Sequence, residues 1–223
     1  MSARFPRRDP VPLGPVMSPE IFSAAARWNA RYQAARLPEG TPESMIRYVN
    51  RSLSLSPRLV KYLAPTMEKV EGFWDFSRPP LRLALLDDKS FWDLSLKLGL
   101  AIWAPSLATE LWSEAALKRR KSLGPLLKWA LGRGRLSLTN EMRREIMEGL
   151  SGPPQDEEGF RLTGLKAMAM ALGECPEEVM ERNKDRFFLS EGLKVDGTLS
   201  GRVWIWIKKT LVEVAPLWKD CFK

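Results

Sequence analysis

Histidine is missing from this chain of 223 residues. That absence removes imidazole zinc sites, Ser-His-Asp triads, Cys-His dyads and histidine proton relays. Carboxylate, lysine and hydroxyl chemistry stay formally open. Cysteine is scarce as well: Cys175 and Cys221 are the only two. Two distant thiols make no disulfide framework, and a reducing compartment is the simpler reading. Long hydrophobic runs are also missing. The longest uncharged stretch, Leu98 to Thr109, holds Pro105 in its middle. It falls short of the roughly 20 apolar residues that a spanning helix needs. Met1 to Pro10 is basic with no apolar stretch behind it, so no secretory signal is expected. No lipidation motif stands at either end. These absences together read as a cytoplasmic protein.

What is present suits a folded domain. The apolar share is 44% and the charged share 28%, ordinary for a globular chain. The length allows one large domain or two small ones with a sizeable core. The net charge of +8 admits nucleic acid, anionic lipid or an acidic protein as partner, and does not choose among them.

Helix-start signals recur. Ser18-Pro19, Thr41-Pro42 and Ser56-Pro57 each pair a capping hydroxyl with a proline suited to the first turn. Apolar residues follow at helical spacing: Ile21, Ala25, Trp28 and Tyr32, then Met45, Val49 and Leu53, then Leu59, Tyr62 and Leu63. Glu71 to Pro80 reads as an aromatic-rich loop. Asp87 or Asp88 is placed to cap a helix through Phe91, Leu94, Leu98 and Ile102, kinked or ended by Pro105. A further helix is expected through Leu107, Leu111 and Ala115, finishing near Lys118 to Lys121, where cations suit the helix dipole. Gly124-Pro125 separates a short helix that Gly132 and Gly134 stop. Thr139 or Asn140 starts another. Ser151 to Gly159, polar and rich in Pro and Gly, is the clearest linker. Leu162, Leu165, Ala169 and Leu172 form a helix ended by Gly173, with a shorter helix from Pro176. Ser190 to Gly201 reads as loop. Val203, Ile205 and Ile207 alternate as in a strand, but Val203, Ile207, Leu211 and Val214 fit a longer helical pattern.

Few residues point to chemistry. Gly132-Arg133-Gly134 lacks the third glycine and the strand of a dinucleotide loop. Gly159 to Lys166 carries Leu165 where a phosphate-binding loop has lysine. The pairs Asp87-Asp88, Glu157-Glu158 and Glu177-Glu178 are sequence neighbours, which point to different sides of a helix. No catalytic group, metal-ligand set, cofactor or small-molecule substrate is therefore expected. Binding is the better theme. Lys118, Arg119, Arg120 and Lys121, with Lys128, Arg133 and Arg135 after them, could form a positive patch for an acidic protein surface. Nine tryptophans are many for this length. Trp204, Trp206 and Trp218 cannot all face inward from one helical tail, and an exposed tryptophan is a good interface anchor. Ala169, Gly173 and Val179 have helix-turn-helix spacing. The second helix would open with Pro176, Glu177, Glu178 and Glu181, whose carboxylates would face phosphates. A basic helix-turn-helix DNA-binding regulator using Lys166 and Arg182 is the alternative function, with nucleic acid the less expected partner.

The run RLALLD, the helix ending KLGLAIWAPSLA, the charged helix after it and LGPLLKWALGRGRL resemble the SctK/YscK family. These lie between Leu81 and Leu136, and the tail VWIWIKKTLVEVAPLWKDCF adds to the likeness. The family comprises accessory proteins of the bacterial type III secretion sorting platform. The resemblance implies a non-enzymatic cytoplasmic adaptor at the inner-membrane face. Its partners would be the cytoplasmic domain of an SctD-type inner-membrane ring protein and an SctQ-type pod protein. It supplies no catalytic residues and no interface residues to carry over.

The expected architecture is mainly α: an irregular multi-helix bundle with possible minor β content near the C-terminus. Residues 1–17 would form a flexible basic arm and 18–150 the helical core region. Residues 151–159 would be a linker or mobile loop. Residues 160–223 would form a C-terminal helical portion packed on the same domain.

Overall fold

Two glycines allow a pair of helices to touch backbone to backbone. In the computed structural model, a Cβ built on Gly99 would lie 1.8 Å from the Phe160 carbonyl oxygen, and one on Gly164 would lie 1.8 Å from the Ser95 carbonyl oxygen. Only glycine permits that approach from both sides. The helices concerned are α3 (Asp88–Thr109) and α6 (Glu157–Leu172), which form the most extensive helix pair of the fold. The structure describes residues 18–35, 37, 40–51, 72–110, 113–173, 175–183, 186 and 197–222. The arm expected at 1–17 and the helix start at Ser56-Pro57 lie outside these residues. The fold is mainly α, with no strand among the described residues.

α1 (Pro19–Ala35) starts as its sequence indicates. Ser18 Oγ accepts the Ile21 N–H at 3.4 Å, and Ile21, Ala25 and Trp28 are buried. α2 is Glu43–Arg51, so Pro42 stands just before the first helical position. A 3₁₀ turn, Pro79–Leu85, buries Leu81, Leu83, Ala84 and Leu85. Asp87, not Asp88, caps α3: its carboxylate accepts the Ser90 N–H at 2.9 Å and the Ser90 hydroxyl at 2.8 Å.

Several expectations need correction. Pro105 does not end α3, which continues to Thr109. Proline lacks the N–H that would bond the Ala101 carbonyl. In the same turn, buried Arg143 donates from Nε to the Ile102 carbonyl at 2.9 Å. A side-chain donor from another helix thus serves one carbonyl of the turn that precedes the proline. Leu107 belongs to α3, and a new helix, α4 (Glu114–Trp129), starts where Ser113 Oγ accepts the Ala116 N–H at 3.1 Å. The basic run Lys118 to Lys121 falls in the last two turns of the first limb of α4, before the break at Gly124, where cations suit the helix dipole as expected. Gly124, at φ 28° and ψ −107°, does break α4 beside Pro125. Gly132 and Gly134 do not stop the chain. A π turn, Ala130–Gly134, leads straight into one α turn, Arg135–Ser137. Gly134 serves close packing instead: a Cβ there would meet the Trp129 ring at 3.0 Å and Ala101 Cβ at 3.3 Å.

Thr139 Oγ1 accepts the Met142 N–H at 3.3 Å and starts α5 (Asn140–Met147). The linker is shorter than 151–159, because Asp156 caps α6 and Glu157 to Gly159 already form its first turn. α7 is Glu177–Arg182. α8 is Gly197–Val214, followed by a 3₁₀ turn, Pro216–Phe222. The loop expected to reach Gly201 is already helical from Gly197, and residues 190–196 lie outside the described ones. The minor β content is absent among the described residues. Val203, Ile207 and Leu211 are buried while Ile205 is exposed, so the helical period prevails over the alternating one.

Replacing Gly164 by Ala puts a methyl into the Ser95 backbone, which has no rotamer with which to yield. The urea-unfolding midpoint of Gly164→Ala should fall by the equivalent of about 3 kcal/mol, the upper range for overpacking. Gly132→Ala, with nothing within 4 Å of the added carbon, should leave it nearly unchanged. Equal midpoints for the two variants would refute the close-contact account.

Candidate protein-binding surface

The basic run does not act as a block. Arg119 is only 2% exposed, and its Nη2 donates to Glu110 Oε2 at 3.0 Å. It turns inward on the same face as Ala116 and Leu123, one helical turn to either side. The expectation of a partner contact at Arg119 is therefore corrected: the side chain anchors the start of α4. Lys118, Arg120 and Lys121 are exposed, with Lys118 paired to Glu114 at 3.2 Å. Lys128, Arg133 and Arg135 are exposed too. No acidic residue occurs between Glu114 and Glu141, so this whole arm presents positive charge.

The tryptophans are mostly joints. Trp206 is 4% exposed, and its indole N–H donates to Ser137 Oγ at 3.0 Å. Its expected role as an exposed anchor is corrected, since it lies on the buried side of α8 with Val203 and Leu211. Trp204 is half-buried against Phe222, with ring centroids 5.7 Å apart. Trp218, also half-buried, donates from Nε1 to Asp87 Oδ2 at 3.2 Å. Asp87 is held below the usual carboxylate range. Burial opposes that shift, and the hydrogen bonds from Ser90 and Trp218 outweigh it. The large exposed side chains near Trp206 are aliphatic instead, Leu136 and Ile205. Sequence reasoning missed both. For Ile205 the signal was available, since it falls off the helical face that Val203, Ile207 and Leu211 define.

Lys97, Glu213 and Trp129 form the most concentrated polar cluster near this surface. Lys97 is buried on α3, and its Nζ lies 3.0 Å from Glu213 Oε2 on α8. Trp129 Nε1 donates to that same oxygen at 3.0 Å. The ammonium also stands 4.2 Å from the centroid of the Trp129 ring, a cation–π contact. Glu213 is held below the usual carboxylate range. Burial would raise it, but hydrogen bonds from Lys97 and Trp129 and the charges of Lys97 and Arg133 prevail. A lysine–carboxylate pair could in principle serve acid–base chemistry. Here carboxylate and indole both lie against the ammonium. The grooves beside α5, between α1 and the terminal 3₁₀ turn, and under Leu150 to Pro154 are lined by other residues.

Both thiols are held protonated. Burial pushes Cys175 up to about 11 and raises Cys221 as well. The two cations that a helix-turn-helix reading needs are engaged within the fold. Lys166 Nζ donates to the Glu148 carbonyl. Arg182 donates to Asn29 Oδ1 and lies 5.1 Å from the Trp28 ring and 4.8 Å from the Tyr32 ring. Tyr32 in turn donates to Glu181, near the end of α7, at 2.9 Å, which ties that helix to α1. Among the described residues no helix is long and apolar enough to cross a membrane, and no cluster of His, Cys, Asp or Glu could hold a metal ion.

No protein-family model, curated protein or solved structure matches this chain.

Two outcomes follow. The Glu213 contribution to stability is complete above the ordinary carboxylate value of 4.5 and is lost as pH falls through its depressed value in the fold. Glu213→Gln should flatten the urea midpoint against pH in that acid range, and a profile parallel to wild type would show that the cluster contributes nothing. At pH 8, alkylation of Cys175 by iodoacetamide should run at least about tenfold slower than for a free cysteine, because little thiolate is present. Labelling at the free-thiol rate would contradict its burial.

Proposed function

We propose that this chain is a non-enzymatic adaptor of a bacterial type III secretion sorting platform. It would join the cytoplasmic domain of an SctD-type inner-membrane ring protein to an SctQ-type pod protein, at the cytoplasmic side of the inner membrane. One observation carries the reading. The two stretches that resemble the SctK/YscK family, Leu81 to Leu136 and Val203 to Phe222, are remote in sequence yet pack into one body. Arg82 Nη1 donates to the Cys221 carbonyl at 2.7 Å. Trp218 reaches Asp87, and Glu213 meets both Lys97 and Trp129. A likeness split between two segments that share contacts supports a common structural unit over chance leucine patterning. The carboxylate-free arm adds a surface suited to an acidic partner.

The reading is tested by capture on the immobilised full chain at moderate salt. Retention of both the ring-protein domain and the pod protein, without nucleic acid, is the expected result. Retention of duplex DNA that weakens with salt and is lost in Lys166→Ala or Arg182→Ala would replace the adaptor by a DNA-binding regulator. Retention of neither protein would also overturn the proposal.

A further inference from the structure

The seam between the Arg135–Ser137 turn and α8 combines exposed aliphatic groups with unbalanced positive charge. The Trp206–Ser137 hydrogen bond, 3.0 Å long, fixes the turn against the helix. The sequence neighbours of that pair, Leu136 and Ile205, are 86% and 56% exposed. Arg133 and Arg135 precede Leu136, and Lys209 stands one helical turn beyond Ile205; all three are exposed. The carboxylates at the margins are engaged internally. Glu141 binds Arg202 at 2.8 Å, and Glu213 binds Lys97 and Trp129. The seam therefore presents exposed aliphatic groups among cations that outnumber the nearby carboxylates, with Glu213 the one whose charge reaches Arg133.

We propose that this seam docks an acidic amphipathic helix presented by a protein partner. Leucine-like side chains of that helix cover Leu136 and Ile205, and its carboxylates meet Arg133, Arg135 and Lys209. Complementary charge sets orientation and speeds encounter, while the covered aliphatic groups supply the desolvated centre. The inference rests on the adaptor reading and deepens it by naming the chemistry of one partner. Other macromolecules fit less well. Single-stranded nucleic acid wants exposed aromatic platforms, whereas Trp206 is buried and Trp204 packs on Phe222. A membrane surface wants a continuous apolar helix face, whereas the outward positions of α8 read Thr198, Gly201, Ile205, Lys209 and Glu213.

The test uses the full chain and a fluorescent synthetic helix with Leu at every third and fourth position and Glu elsewhere, alongside a scrambled peptide of the same composition. Wild type should prefer the helical peptide in an anisotropy titration. Leu136→Ser with Ile205→Ser should weaken binding about tenfold or more, and so should Arg135→Glu with Lys209→Glu. Lys118→Glu with Lys121→Glu, the same charge change on the first limb of α4, should weaken it less than about threefold. Unchanged urea midpoints show that the variants remain folded. No binding by wild type, equal loss in the α4 control, or retention of phosphatidylserine vesicles or DNA in place of the peptide overturns the seam. Ring and pod proteins are titrated in parallel. If the seam variants hold both as tightly as wild type, the seam is overturned and the adaptor reading stands. If neither protein binds wild type while the peptide result holds, the adaptor reading falls and the seam stands.

Discussion

The crossing of α3 and α6 at Gly99 and Gly164 is the contact on which the remaining packing depends. Each glycine receives a carbonyl of the opposite helix at a distance no side chain could share. The axes come together, and the flanking positions fill with small or closely fitted groups: Ala101 and Ala104 on one helix, Ala167 and Ala171 on the other, all buried. At the same crossing, Trp103 Nε1 donates to Thr163 Oγ1 at 3.1 Å. Close approach also multiplies dispersion contacts, each small and together large. α8 then packs on α6, and the 3₁₀ turn at Pro79–Leu85 covers one end.

Around this pair, arginine does much of the fastening between elements. Arg78 donates to the Leu172 carbonyl at the end of α6 at 3.0 Å. Arg82 joins the Phe76 and Cys221 carbonyls. Arg143 bonds the Ile102 and Arg135 carbonyls, and Arg186 bonds the Leu86 carbonyl at 2.9 Å. The planar guanidinium offers several donors in fixed directions, so one side chain can serve two separate carbonyls. A good part of the basic composition is thus structural. Among the described residues, a run of exposed cations with no carboxylate between them lies on the arm from α4 to the Arg135–Ser137 turn.

The sequence disclosed the helical class, because apolar spacing and capping residues are local signals. Asp87, Ser113 and Thr139 accept from backbone N–H groups two residues into their helices, as their side chains lead one to expect. What stayed hidden was tertiary. Nothing near Pro105 announces that Arg143, from another helix, will serve a carbonyl of the preceding turn. Nothing local tells Gly134, a packing glycine, from Gly124, a conformational one. At the surface, the charge of Arg119 was visible but its direction was not, since burial depends on where α4 begins. The exposed Leu136 and Ile205 look like core residues by type, and only the positions of their neighbours turn them outward.

One oxygen atom ties three parts of the chain together. Glu213 Oε2 receives Lys97 from the central helix and Trp129 from the root of the basic arm, while its own backbone closes α8. In mechanical terms it is a rivet. Tension applied to the arm at Trp129 reaches α3 and α8 in the same step, with no compliant segment between. The limb of α4 before Gly124 lies beyond this rivet, joined to it through the bend at Gly124 and held separately by the Arg119–Glu110 pair.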